Sequence, residues 1–227
     1  MKKAIIYYTC NTHRPEIEEA CRRRILDGKG DAELVTVSLQ PIDYGDSRAV
    51  LSLPRSPETM FKQIDVGLRM TNADVVFLCE SDVYYDPSHF EFEPSREDTF
   101  YYNTNVWRVR YDDAFAVRTD FCQQLSGLCV YRKTLLAHMR ERMEKIAAEG
   151  FSRKMGYEPF THDRVKWPTQ FWADSWESEA PNVDIRHDAN ITASRWSPFD
   201  FRNRKYAKGW REDAILFRSL INSIKNQ

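Results

Sequence analysis

A chain of 227 residues is long enough for one α/β domain with a sizeable core, and 42% hydrophobic with 30% charged residues is the composition of a globular protein in water. A formal net charge of −1 gives no global attraction toward nucleic acid or anionic membranes, so any such partner is held by a local patch. Five cysteines with no Cys-x-x-Cys pair exclude a zinc ribbon and argue against a disulfide framework, and no Gly-x-Gly-x-x-Gly or Walker-type loop occurs.

The first ten residues are too few and too polar for a signal peptide or membrane span, which predicts a cytoplasmic protein. Lys3 to Tyr8 reads as a strand centred on Ile5, Ile6 and Tyr7, and Pro15 opens a helix running to about Leu26. In the polar turn between them, Asn11 or Thr12 suits an ordinary helix cap. Glu33 to Leu39 alternates and is β-branched, predicting a second strand. Gln40 to Pro57 mixes Pro, Gly, Asp and Ser as an irregular loop does. From Ser56 or Pro57, the spacing of Met60, Phe61, Ile64 and Leu68 predicts a helix ending near Asn72.

The next stretch is the most informative. Val75 to Cys79 is a continuous apolar run, as in a strand buried on both faces of a parallel sheet, and it stops abruptly at Glu80-Ser81-Asp82. In open α/β sheets, ligands bind beyond the carboxyl ends of the strands, so these acids face a crevice. Two hard oxygen ligands there suit Mg²⁺ or Mn²⁺. An acidic loop that merely caps a strand is the plainer alternative.

After Pro87 the pattern changes. Phe100 to Val109 and Asp113 to Arg118 read as strands with no helix between them, hence antiparallel. Leu125 to Tyr131 reads as a strand entered at Gly127, followed by an amphipathic helix from about Lys133 to Ala148 with His138 at its surface or as a cap. Glu149 to Pro181 is an aromatic-rich irregular segment, either a sugar-stacking loop or a satellite core. Pro181 to His187 is a short strand with His187 at its end. Arg195 to Arg218 is locally basic and interleaved with aromatics, either a phosphate- or nucleic-acid-contacting surface or, after Glu212, a solvated helical face.

The segment Gln63 to Asp82, a Gly-Leu-bearing helix leading into a strand that ends in Glu-Ser-Asp, resembles the nucleotide-sugar glycosyltransferases of the GT-A fold with their Asp-x-Asp signature. The resemblance implies a Rossmann-like mixed sheet flanked by helices, its N-terminal half parallel and its C-terminal half partly antiparallel. It also implies one domain over 1–227: a nucleotide-sugar-binding half (1–90), an acceptor-side half (91–195) and a basic aromatic tail (196–227).

By the same resemblance, Asp82, His187 and Glu80 hold Mn²⁺ or Mg²⁺. Thr9, Asn11, Gln63, Asp65, Glu80, Ser81 and Arg195 contact a nucleoside-diphosphate sugar donor. The implied activity is hexosyl or pentosyl transfer to an acceptor hydroxyl on a glycan, a small molecule or a hydroxymethylated DNA base. If the reaction inverts the anomeric centre, a carboxylate between the acceptor helix and His187 serves as base. Glu158 and Glu179 are favoured there, with Asp163, Asp174 and Glu177 also in range. A nucleotidyltransferase using the same carboxylates and a catalytically silent nucleotide-sugar-binding module remain the alternatives.

Overall fold

From Lys3 to Glu80 the chain alternates strand and helix: β1 (Lys3–Thr9), α1 (Pro15–Gly28), β2 (Glu33–Ser38), β3 (Ser47–Val50), α2 (Pro57–Met70) and β4 (Val75–Glu80). The computed structural model describes residues 1–152 and 171–227. β1 lies between β2 and β4 and runs parallel to both, with Ile5 beside Leu34 and Phe77. It is covered on both faces. Ala4, Ile6 and Tyr8 enter one core with Phe61, Ile64 and Leu68 of α2, while Ile5 and Tyr7 enter another with Ile25 of α1. The apolar run of β4 divides likewise, which is why it needs no polar alternation.

The expected irregular loop over Gln40 to Pro57 contains β3, which adds to β2 in parallel. It escapes a pattern reading because only every second residue of this edge strand is half-covered. The α2 helix starts where Ser56 Oγ accepts from Thr59 N at 3.0 Å, and it lies unusually close to the sheet at Gly67. A Cβ there would stand 2.6 Å from Ile6 Cγ2.

Beyond Glu80 come β5 (Val83–Tyr84), β6 (Thr99–Asn103), β7 (Val106–Arg110), β8 (Ala116–Arg118), β9 (Leu128–Tyr131), α3 (Arg132–Glu149), β10 (Trp172–Trp176), β11 (Asn182–Arg186), β12 (Arg211–Asp213) and α4 (Arg218–Lys225). The first sheet has the order β10-β6-β9-β4-β1-β2-β3, and a second has the order β12-β8-β7-β11-β5. β9 is antiparallel to β4 and β6, whereas β10 runs parallel to β6. In the second sheet β7 and β11 are parallel and the remaining pairs antiparallel. The fold is therefore the expected α/β arrangement with a parallel N-terminal half and a partly antiparallel C-terminal half.

Several finer expectations change. Phe100 to Val109 is two strands in different sheets, broken at Thr104 and Asn105. Leu125–Gly127 is a 3-10 turn ahead of β9. His138 is fully buried on α3, where Arg142, also fully buried, donates to its Nε2 at 3.0 Å and lies 4.2 Å from the ring centre of Phe61. Leu135, His138, Arg142 and Ile146 share one helical face, so charge alone is a poor guide to burial here. Within 149–181, Trp176 stacks on Phe92 at 4.3 Å, Phe171 packs on the first core, and Trp172 is exposed. At the C-terminus Phe217, Ile221 and Ile224 pack with Ile17, Ala20 and Cys21 of α1. Cys79, Cys122 and Cys129 are buried like Cys21, and Cys10 is partly covered.

A buried polar cluster ties the sheets together. The Asn103 and Asn182 amides both donate to His89 Nδ1, at 3.0 and 3.2 Å, and Asn103 also reaches Ser178 Oγ at 2.8 Å. Burial pushes the His89 imidazole down to about 3, so it folds neutral with its proton on Nε2.

Two measurements follow from this packing. Gly67→Ala should cost about 1–3 kcal/mol in urea unfolding, because Ile6 is β-branched and enclosed. For His89 the folded value lies below the unfolded one of about 6.5, so its contribution is complete above that pH and lost as pH falls toward 3. Between those limits the stability of His89→Gln should fall less steeply than wild type, by about 1.4 kcal/mol per pH unit.

Candidate active site

The carboxyl ends of β1, β4 and β11 meet at a cavity of about 820 Å³ whose lining includes Thr9, His13, Glu80, Ser81, Asp82, Asp184 and Arg186. β4 ends at Glu80, and its backbone N–H donates to Tyr85 Oη at 3.0 Å, which itself donates to Ser126 O at 2.9 Å. This fully buried phenol fixes the end of β4. Asp82 O accepts from Ile185 N of β11 at 2.9 Å, and its side chain accepts from Asn190 Nδ2 at 2.6 Å. Asn190 Oδ1 in turn accepts from His187 N at 2.6 Å, so one amide aligns Asp82 with His187.

His13, from the turn after β1, completes the group. Ligating atoms of His13, Asp82 and His187 all lie within 4.8 Å of one another. The two imidazoles meet edge to face, 4.8 Å between centres, and His13 Nδ1 is 3.0 Å from Ser81 Oγ. His187 Nε2 is buried, has no hydrogen-bond partner among the described residues, and stands 4.0 Å from Asp82 Oδ2. An orphaned imidazole nitrogen facing a carboxylate fits a divalent ion, with His/Asp donors favouring Mn²⁺ over Mg²⁺. The annular arrangement is tethered from outside by Arg14, whose guanidinium reaches Asp188 at 3.3 Å.

The charges are held under tension. Burial, with help from Asp82 and Asp184, pushes the Glu80 carboxyl up to about 8 despite a hydrogen bond from Tyr8 Oη at 2.9 Å. Burial also raises Asp82, opposed by the His13 charge. For His13, burial is outweighed by the Cys10 thiol and the Asp82 carboxylate, which raise it to about 8. Burial and the neighbouring His13 charge lower His187 to about 4, leaving it neutral and ready to ligate.

Of the residues singled out from sequence, Thr9, Gln63, Glu80, Ser81, Asp82 and Arg195 line the cavity. Gln63 spends its amide on Thr9 O and Val37 O, at 2.8 and 2.9 Å, holding strand ends together. Thr9 Oγ1 donates to Glu18 and accepts from Asn11 N. Asn11 adopts a left-handed φ of 58° and its Oδ1 accepts from Leu39 N and Gln40 N, so it braces β1 against β2. The helix cap is Arg14, without a side-chain bond, and not Asn11 or Thr12. Asp65 pairs with Arg69 on the outer face of α2 at 2.9 Å and is absent from the cavity lining. Glu80 lines the cavity without belonging to the His13–Asp82–His187 cluster. Glu179 is exposed beside Ser88 and outside the lining. Glu158 and Asp163 lie outside the described residues.

Sequence reasoning missed His13, Asp184 and Asn190. The strand-end argument applied to β4 reaches His13 equally well once β1 is recognised, since both strands are parallel and end at the same edge. Asp184 carried no such signal, because it lies inside a strand, 3.4 Å from Arg186.

No family model and no curated protein matches the chain. Solved structures similar to it include glycosyltransferases. One is a glycosyltransferase involved in the glycosylation of the major capsid of PBCV-1, at 9% identity, 81% of this chain, 92% of that chain and a TM-score of 0.47. Another is S. aureus TarS 1-349 in complex with UDP-GlcNAc, at 13% identity, 88% of this chain and a TM-score of 0.48, of which this chain spans 63%. A third is a Drosophila β1,4-galactosyltransferase 7 variant with manganese, UDP-Gal and xylobiose, at 10% identity, 88% and 79% coverage and a TM-score of 0.45. A likeness this remote is one of outline and carries no argument about the site.

The cluster makes a direct prediction. A ligating His13 must shed a proton held up to about pH 8, so apparent Mn²⁺ affinity should rise about tenfold per pH unit from 6 to 8 and then level. Titration calorimetry in buffers of different ionisation enthalpy would register that proton. In His13→Ala the pH slope should flatten, and in Asp82→Asn or His187→Ala affinity should drop at least tenfold.

Proposed function

We propose that this chain is a metal-dependent glycosyltransferase of the GT-A fold that moves a sugar from a nucleoside-diphosphate sugar to an acceptor hydroxyl. The observation that carries the reading is the His13–Asp82–His187 cluster at the carboxyl ends of parallel strands, where His13 and Asp82 line a cavity of about 820 Å³ and the buried His187 behind them has an orphaned imidazole nitrogen. A nucleotide sugar fits a pocket of that size.

Asp82 and His187, with His13, would hold Mn²⁺ or Mg²⁺. A bound divalent ion there supplies Lewis-acid neutralisation of a departing diphosphate. Arg55 and Arg195 line the cavity and suit the same diphosphate as fixed counter-charges. Asn190 keeps Asp82 and His187 aligned, so the ligands are preorganised. Thr9 and Gln63 shape the donor side as strand-end braces, and Ser81 orients His13. Glu80, whose burial favours its neutral form and whose Oε1 accepts from Tyr8 Oη, is less suited to ligating than Asp82. For an inverting reaction, the described carboxylate best placed as base is Asp184, which lines the cavity but is engaged with Arg186. Glu158 and Asp163 remain proposed bases.

The deciding experiment is a thermal-shift screen of UDP-, GDP-, CMP- and dTDP-sugars with and without Mn²⁺, on wild type and Asp82→Ala. Ligand at about a hundred times Kd should add roughly 2.7 kcal/mol of stability. The expected result is a Mn²⁺-dependent shift with one nucleotide that disappears in Asp82→Ala. If none of the nucleotides shifts well-folded protein, the transferase reading falls. Binding without sugar release in any acceptor mixture would favour the silent module, and pyrophosphate release from a nucleoside triphosphate would favour a nucleotidyltransferase.

A further inference from the structure

The cavity carries more positive charge than a donor and its ion require. Its lining contains six Lys and Arg side chains against four Asp and Glu. A divalent ion brings two positive charges and a nucleoside-diphosphate sugar two negative, so together they leave that surplus of two in place. The acids are already occupied: Asp184 by Arg186, Asp82 by Asn190 and the histidines, and Asp200 by the N–H groups of Trp196 and Ser197.

Among the described residues Arg55, Arg108, Arg195 and Arg202 line the cavity without a carboxylate partner. Arg108 stands out. Among the described residues its buried Nε has no hydrogen-bond partner, and its one side-chain hydrogen bond is a long 3.5 Å approach to Thr119 Oγ1. The guanidinium lies 5.9 Å from the ring centre of the buried Phe201, on which Arg195 also packs at 4.8 Å. Strand register sets Arg108 beside Asp184, one strand further from the His13–Asp82–His187 cluster. A buried, unpaired guanidinium nitrogen is costly unless an acceptor arrives.

Resting on the glycosyltransferase reading, we propose that Arg108 recognises a second anionic group beyond the donor diphosphate, a carboxylate or phosphate borne on a sugar. The planar fork of arginine matches either group in two-point geometry, and the Phe201 face holds that fork in place before the ligand enters. The anion belongs either to the transferred sugar or to the acceptor saccharide. Nucleic-acid phosphates are disfavoured because these cations line a concavity and the chain as a whole has a formal net charge of −1.

Titration calorimetry tests this with matched pairs: UDP-glucuronate against UDP-glucose with Mn²⁺, and glucose 6-phosphate against glucose, with and without UDP and Mn²⁺. One anionic member should bind at least tenfold tighter than its neutral counterpart. That gap should close in Arg108→Gln and be partly kept in Arg108→Lys, each verified as folded by its melting transition. The first pair assigns the anion to the donor, the second to the acceptor. No tenfold gap in either wild-type pair, or a gap that survives Arg108→Gln, overturns the proposal; the wild-type pairs decide even if a variant misfolds. If the thermal-shift screen selects another base, the donor pair is run on that nucleotide; if no nucleotide sugar binds, the donor reading fails by itself, while glucose 6-phosphate without nucleotide still reports on Arg108. An oligothymidylate that displaces glucose 6-phosphate and binds tighter than every sugar overturns the saccharide assignment.

Discussion

Three strands of the larger sheet continue into the smaller one through short joints, and the rest of the structure hangs on these crossings. β4 passes to β5 through Ser81 and Asp82, β6 to β7 through Thr104 and Asn105, and β10 to β11 through residues 177–181. A chain that changes sheets so abruptly has backbone groups with no ladder to join, and each must find a partner inside the protein. The Asn103, Asn105 and Ser178 side chains meet that demand at two joints, bonding Asn105 N, Ser178 O and Ala180 O. At the third, Asp82 O is bonded by Ile185 N, so the residue proposed to ligate metal is also a structural hinge pin between the sheets.

That double role explains the electrostatics. Glu80 and Asp82 meet at a junction where burial disfavours their charges, with Asp184 close by, and the positive charges of Arg186 and His13 answer only part of the cost. Left to itself, such a cluster lowers stability. A divalent ion held there, as proposed, would recover some of that energy, so its affinity would draw on strain already present in the unliganded protein.

The parallel half was legible because each of its strands is long, apolar and bounded by helix signals. Both faces of β1 and β4 are buried, so periodicity of two was never expected and length with β-branching sufficed. β3 hid in a loop because it is an edge with exposed alternate positions, and the β6–β7 break hid because both strands share the same composition. Asp82, legible as an acid at a strand end, and His187, implied by the family resemblance together with its place after a strand, both fall in the cluster. His13 was not, since a turn with three plausible polar residues offers no local means of ranking them. Asp65 looked available on the helix, yet an Arg69 one turn later satisfies it. His138 and Arg142 show the converse: their burial depends on pairing across one helical turn, a tertiary fact that composition does not carry.

The cluster draws on the turn after β1, the β4–β5 joint and the segment after β11, which are far apart along the chain. Contacts of such separation close large loops and are slow to form. The parallel sheet can therefore exist before the site does. Fraying of the segment from His187 to Arg195, held to the body through Asn190, Arg14 and Arg55, would dismantle the cluster while leaving β1, β2 and β4 intact. If the cluster is the metal site proposed above, an assembled segment from His187 to Arg195 is a condition of competence distinct from global stability, and amide exchange there would report the fraction of molecules that have it.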